Sequence, residues 1–322
     1  MLEVVKPGLE TSVQDWPGRL GYWNQGFPPS GPMDSWSFRL SNVLVGNAPG
    51  IAGLECQYIG PTLKFQRDGV VAVTGADMQP KLDGIPLPMW ESVAVKSGQT
   101  LEMSFAKTGA RGYVAVAGGI ITDPWLDSRA TFHKAGVGGM EGAAIKAGQL
   151  VPVAKQKGQS GCRVRQDCRP VFPDENHWDV EVVAGPNDDW IDEAGHKMFL
   201  STDWKLSSKS DRTGFRLEGP EWTFTDKAHD KLPEHGAEPS NIIDQGYPCG
   251  AINLAGQTPI ILVNDGPSMG GFINPYTVPQ AVFWKLGQSK PGGIYKFKVV
   301  SVEGAQKMAH ELREICTEKS LE

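Results

Sequence analysis

The chain has 322 residues, a formal net charge of −6 and a pI near 5.6. That length suits two domains or one large β-rich unit, and the acidic balance argues against nucleic acid or an anionic membrane surface as the main partner. No run approaches the ~18 apolar residues of a membrane-spanning helix and the first residues lack the basic-then-apolar layout of a secretory signal, so a soluble, cytoplasmic protein is expected.

Gly and Pro account for 63 of the 322 residues, more than the usual ~12%. They are spread along the chain, which marks many turns between short strands and predicts a mostly-β protein. The first helix is expected over residues 35–45, with Trp36, Leu40, Val43 and Leu44 at helical spacing, Asp34 as N-cap and Gly46 as terminator. Strands are expected at 69–74, 92–95, 100–105 and 112–117, each bounded by turn residues. The stretch 154–169 is basic, contains Gly and Ser and is poor in large apolar residues. It places a domain boundary between an N-terminal β domain, 1–155, and a C-terminal β domain, 170–322. In the second half, a strand is expected at 180–183 and a helix at 187–200 with Asn187 as cap. Further strands follow at 259–263 and 294–300. From Gly304 a terminal helix sets Ala305, Met308, Ala309, Leu312 and Ile315 on one face. Lys96-Ser-Gly-Gln, Lys146-Ala-Gly-Gln and Leu286-Gly-Gln repeat one turn-then-strand design, a hint that the halves are related β units.

Five cysteines at scattered spacing (Cys56, Cys162, Cys168, Cys249 and Cys316) do not form a disulfide framework, and Cys162 and Cys168 lack the histidine and the tight spacing of a zinc pair. No metal is expected. The densest chemistry lies between Glu234 and Trp284: the imidazole of His235, the carboxylates of Asp244 and Asp265, small polar side chains and the Gly270-Gly271 pair surround a short apolar run. A site for a small polar substrate needs that mixture of fixed acceptors and closely approachable backbone. Each residue also has a plainer reading. Asp244 could cap the turn at Gly246, Ser240 and Asn241 could form a turn after Pro239, and Asp265 to Gly271 could be a tight structural turn. Asp34 could simply cap its helix.

Several blocks together resemble the allophanate hydrolase subunit 2 family, also called the KipA-like or 5-oxoprolinase C-subunit family: residues 4–23, 28–47, 52–65, 112–120, 210–220 and 234–272. The His-x-x-x-Pro-Ser-Asn-x-x-Asp run at His235 and the Asp-Gly-Pro-Ser-x-Gly-Gly-Phe run at Asp265 look most like the first half of the carboxyltransferase domain of biotin-dependent urea carboxylase. Oxoprolinase-type subunits usually carry Gln and Val where this chain has Asn253 and Leu254, and a Thr near Ser268. Gln245, Pro248, Cys249 and Asn264 depart from the pattern.

The resemblance implies cyclophilin-like barrels and a carboxyl transfer from carboxybiotin to a nitrogen of urea or a urea-like amide. The biotin carrier, the biotin carboxylase using ATP and bicarbonate, and a KipI-like (allophanate hydrolase subunit 1-like) partner subunit would then be supplied elsewhere. It implies Asp244, His235 and Asn241 as catalytic residues. Ser240, Asp265, Gly266, Ser268, Gly270, Gly271, Ser30 and Asp34 would bind substrate or biotin, the loop from Asp265 through backbone N–H donors and the helix start at Ser30 through free N–H groups. Ser128, Arg129 and Thr131 match a Ser-Arg-Ser-Thr stretch of the family and read as loop-pinning, and Cys249 reads as a packed apolar side chain rather than a nucleophile. The rivals are an oxoprolinase-type role, as a part of 5-oxoprolinase, and a KipA-type regulatory binding protein.

Overall fold

The computed structural model describes all residues, 1–322, which divide into two compact units. The first comprises Met1–Leu20, Pro29–Phe172 and Glu311–Glu322; the second comprises Gly21–Pro28 and Pro173–His310.

The first unit is built on two sheets. A five-stranded sheet runs in the order Glu10–Gln14, Gly53–Gln57, Arg111–Val116, Gly69–Gly75, Ser92–Val95. A six-stranded sheet has Leu2–Lys6, Thr62–Phe65 and Thr100–Glu102 at its centre. Leu54, Val71, Val73 and Val114 from the first sheet and Val4, Leu63 and Leu101 from the second share one buried cluster. The other face of the five-stranded sheet is covered by the helix Ser35–Leu44, through Leu40 and Leu44 against Val70, Ala72 and Ala115. With both faces covered, Arg111–Val116 is buried at every position, as continuous apolar runs require. The expected strand at 100–105 stops at Glu102: Met103 still donates to Pro61 O, but Pro61 has no N–H to return the bond.

The last twelve residues pack with this unit, not with the second half of the chain as expected, because Leu312 and Cys316 enter the cluster around Leu40. The soft segment before Phe172 is likewise tied here: Arg163 N–H donates to Glu322 O at 2.9 Å and Arg165 N–H to Ser320 O at 2.9 Å. Two of the repeated turns are one structure. In each, a Gln side chain accepts the N–H of the Lys three residues earlier, Gln99 from Lys96 and Gln149 from Lys146. The third copy differs, since Phe283–Gln288 is helical.

The second unit is a closed seven-stranded barrel. His177–Ala184 pairs in parallel with Ile294–Val299 and closes the ring; Gly214–Glu218, Ala251–Ala255 and Thr258–Leu262 are among its antiparallel members. Alternation sorts the side chains along the first strand, where Trp178, Val180 and Val182 are buried while His177 and Asp179 are exposed. Phe199 of the helix Glu193–Ser201 stacks on Tyr276 and Phe297 at 4.6 and 4.5 Å between centroids. That helix starts later than the sequence pattern predicts. Asp192, not Asn187, accepts the capping N–H of Gly195 at 2.7 Å. Asn187 is otherwise engaged, its Oδ1 accepting Asn274 N–H and the Gln245 amide.

All five cysteines are free thiols. No helix is long and apolar enough to cross a membrane, and no group of three His, Cys, Asp or Glu is placed to hold a metal ion.

Candidate functional site

Outside the barrel strands of the second unit stands a two-stranded ribbon, Asn241–Gly246 paired antiparallel with Met269–Phe272. Its glycines are dictated by close approach. A Cβ on Gly270 would lie 2.8 Å from the Tyr247 ring, and one on Gly271 would lie 3.0 Å from Ile242 O and 3.5 Å from Asp244 Oδ1. Tyr247 is the buried post of the ribbon: its hydroxyl accepts Phe272 N–H at 2.6 Å and donates to Phe272 O at 3.0 Å. Burial raises the Tyr247 hydroxyl pKa, and its hydrogen bond to the Phe272 backbone partly offsets this. The pairing register shifts between Asn241 and Gln245, a bulge of the kind that re-aims side chains. Within it Asp244 is exposed while Gln245 turns inward to Asn187 Oδ1 at 2.7 Å.

His235 sits at the end of a short helical turn, half-buried, its ring 6.3 Å from that of buried Trp190. Its Nδ1 accepts the Ile243 N–H at 3.2 Å. A nitrogen that accepts carries no proton, so the neutral ring keeps its proton on Nε2. Asn241 lies over Gly236, where a Cβ would come within 3.0 Å of its Nδ2. Asp244, His235 and Asn241 are therefore held on one local framework, Asn241 and Asp244 on one strand and His235 bonded to a residue between them.

The remaining expected residues have structural commitments. Ser240 is buried, with its carbonyl accepting Ile273 N–H at 2.9 Å and its Oγ unpartnered. Two backbone donors of the loop from Asp265 are already used inside the protein: Asp265 N–H donates to Arg212 O and Gly266 N–H to Val263 O, both at 2.8 Å. The Asp265 carboxylate is buried and accepts Arg212 Nε at 2.9 Å. Ser268 contributes its carbonyl, which accepts Tyr247 N–H at 2.8 Å.

Ser30 and Asp34 belong to the first unit. Asp34 caps its own helix: Oδ1 accepts Ser37 N–H at 2.9 Å and Oδ2 accepts the Ser37 hydroxyl at 2.5 Å. Its N–H donates to the Tyr113 hydroxyl at 2.9 Å, which donates to Glu55 Oε2 at 2.8 Å; Met33 N–H reaches the same oxygen. Burial, then the charges of Glu55 and Asp34, push the Tyr113 hydroxyl well above its ordinary pKa. Ser30, at φ +54°, accepts from Arg19 at 3.4 Å. Asp15 takes Ser128 Oγ at 2.6 Å and Arg129 N–H at 2.7 Å, so the Ser128–Thr131 stretch is a pinned loop. It borders a cleft of about 670 Å³ lined by residues that include Thr122, Trp125, Gly138 and Glu141, which no pattern in the sequence marked. Burial, with Asp265 second, pushes the half-buried Cys249 thiol up to about 12, away from nucleophile range.

Sequence reasoning also missed Tyr247, Trp190 and Lys231, whose neighbours are set by the fold. Lys231 Nζ donates to the carbonyls of Glu238 and Asn241 and stands 5.7 Å from the centre of the Trp190 ring.

Comparison with known proteins adds a second line of observation. The family described as carboxyltransferase domain, subdomain A and B, matches residues 25–299. A urea amidolyase of Saccharomyces cerevisiae is 38% identical over 314 residues, covering 95% of this chain and 17% of that protein. The 5-oxoprolinase C-subunit of Escherichia coli is 32% identical over 309 residues, covering 95% of this chain and 94% of that protein. The crystal structure of the Kluyveromyces lactis urea amidolyase superimposes with a TM-score of 0.92 at 35% identity, over 98% of this chain and 20% of that one. The chain thus spans about a fifth of the length of these urea amidolyases.

Proposed function

Because the chain belongs to the family of carboxyltransferase domains, subdomain A and B, we propose that it is the carboxyltransferase part of a biotin-dependent, urea carboxylase-like enzyme. Its substrate would be urea or a urea-like amide, and it would work with a KipI-like subunit, a biotin carboxylase and a biotin carrier. The observation that carries this reading is the exposed Asp244 carboxylate on the same ribbon strand as Asn241, in a chain 38% identical to a urea amidolyase over 314 residues.

The side chains suit a ureido or urea group. A carboxylate accepts two N–H bonds from an amide-like nitrogen pair, and the Asn241 amide can both donate and accept. Carboxybiotin, when bound, supplies the carboxyl group. On this reading Asp244 orients the accepting nitrogen and accepts the proton that this nitrogen loses as its bond to the carboxyl carbon forms and the carboxyl group's bond to its donor breaks. His235, with Nδ1 occupied by Ile243, donates from Nε2 and does not abstract. One fixed polar partner of this kind is typically worth ~10²–10³ in rate.

A second reading, the 5-oxoprolinase C-subunit, is favoured by one observation: the chain spans 94% of the E. coli protein's length. The two separate in a single experiment. The chain is purified with its co-expressed neighbouring gene products, and ATP use and bicarbonate fixation are measured with urea, guanidine and 5-oxoproline in turn. Carboxylation of urea or guanidine is expected; ATP turnover with 5-oxoproline alone would replace this reading by the second.

A further inference from the structure

Between Lys231 and Asn241 the chain makes a loop of the compact kind whose two ends lie close together. Lys231 joins those ends. Its ammonium donates to Asn241 O at 2.7 Å and to Glu238 O, the same carbonyl that accepts the turn-forming Asn241 N–H at 2.9 Å. Beneath the loop lies Trp190, only 7% exposed. Lys231 Nζ stands 5.7 Å and Lys227 Nζ 5.4 Å from its ring centre, and the His235 ring lies 6.3 Å away. Lys227 is fixed in turn by Asp189. The far end of the loop runs directly into Ser240, Asn241 and, three residues on, Asp244, while His235 reaches forward to the Ile243 N–H.

We propose that Lys231, seated on Trp190, is a positioning residue: it locks the 231–241 loop and so sets the orientation of Asn241, His235 and Asp244. This deepens the functional proposal and rests on its reading that the ribbon carries the site. A cation is suited to the task, since one ammonium satisfies two carbonyls at once while its face toward the indole is stabilised by the ring. Burial holds the Lys231 ammonium below its ordinary pKa, which agrees with a group drawn into the loop. A loop that opens part of the time lowers apparent substrate affinity in proportion to the closed fraction and leaves the saturated rate nearly intact.

The test compares Lys231→Met, Lys231→Arg and Trp190→Phe. Hydrogen exchange of the full chain is read first. With Met, amides of residues 235–243 exchange about tenfold faster or more while barrel strands are unchanged; with Arg, whose fork spans two carbonyls, protection largely returns; with Phe, the change is intermediate. In the assembled enzyme, Met raises KM for the accepting amide about tenfold with kcat within about threefold, and Arg restores it. Unchanged exchange with Lys231→Met overturns the positioning role whatever the kinetics. Faster exchange with unchanged KM for every substrate leaves the lock standing and instead overturns the placing of the site on this ribbon.

Discussion

Two regions read alike in the sequence and part ways in the structure: the helix start at Ser30–Ser37 and the ribbon segment at His235–Phe272. Both set small polar residues and a carboxylate beside glycines. At the helix start the carboxylates and the amide are buried and paired: Asp34 with Ser37, Glu55 with Met33 and Tyr113, Gln14 Oε1 with Gly31 N–H. In the ribbon segment Asp244 and Asp265 part ways, Asp265 into a buried pair with Arg212 and Asp244 onto an exposed bulge. Polar groups paired inside the protein specify a fold; a polar group held outward on a bulge is what remains for a ligand. Exposure, not composition, distinguishes the two.

The comparison breaks if the buried groups prove dispensable. Asp265→Ala leaves Arg212 without its 2.9 Å partner at a site only 3–7% exposed, and removing one partner of a buried pair costs about 3–5 kcal/mol; urea unfolding measures it, and a loss below about 1 kcal/mol would move Asp265 back among candidates for chemistry. Alkaline pH probes the thiols that burial raises, Cys56 and Cys316 in the first unit and half-buried Cys249 in the second, which is raised alike. Burial raises Cys56 and Cys316 to about 12 from an ordinary value of 9.0. A raised folded pKa gives stability that is fully present below the unfolded value and lost as pH climbs toward the folded one. Unfolding free energy should therefore fall between pH 9 and 12, by up to about 1.4 kcal/mol per pH unit for each thiol; a flat profile between pH 9 and 11 contradicts this. Tyr113→Phe removes the hydroxyl between Asp34 N–H and Glu55, an expected loss of about 1–3 kcal/mol, seen as a lower melting temperature with kcat unchanged per folded molecule. The smallest effect belongs to Cys249→Ala. With a pKa of about 12 its thiolate is roughly one part in ten thousand at pH 8, so carboxyl transfer should be unaffected; a large loss of kcat would reopen a covalent role.

Local signals are legible in the sequence and distant ones are not. The helix from Ser35, its Asp34 cap and the left-handed Gly46 after it follow from spacing and cap chemistry within a dozen residues. The strands at Gly69–Gly75 and Ser92–Val95 follow from short apolar runs between turns. Asn187 looks like a cap because its own neighbours allow it, but Asn274, 87 residues away, claims its side chain. Asp244 and Asp265 are equivalent as sequence, because the Arg212 that buries one of them lies 53 residues upstream. The terminal helix shows its apolar face, yet nothing local says that Leu312 joins Leu40. Within the candidate site, Asp244, Asn241 and His235 are legible as chemistry-bearing types; the Lys231–Trp190 support, which joins segments some forty residues apart, is not.

The claim that Asp244 is the outward, ligand-facing group of the ribbon is tested most directly by one paired measurement on Asp244→Asn: labelled bicarbonate incorporation by the assembled enzyme and the melting temperature of the same preparation. An exposed side chain should leave the melting temperature within about 2 °C, while incorporation falls by ~10²–10³. Full incorporation by a normally folded variant would contradict the account.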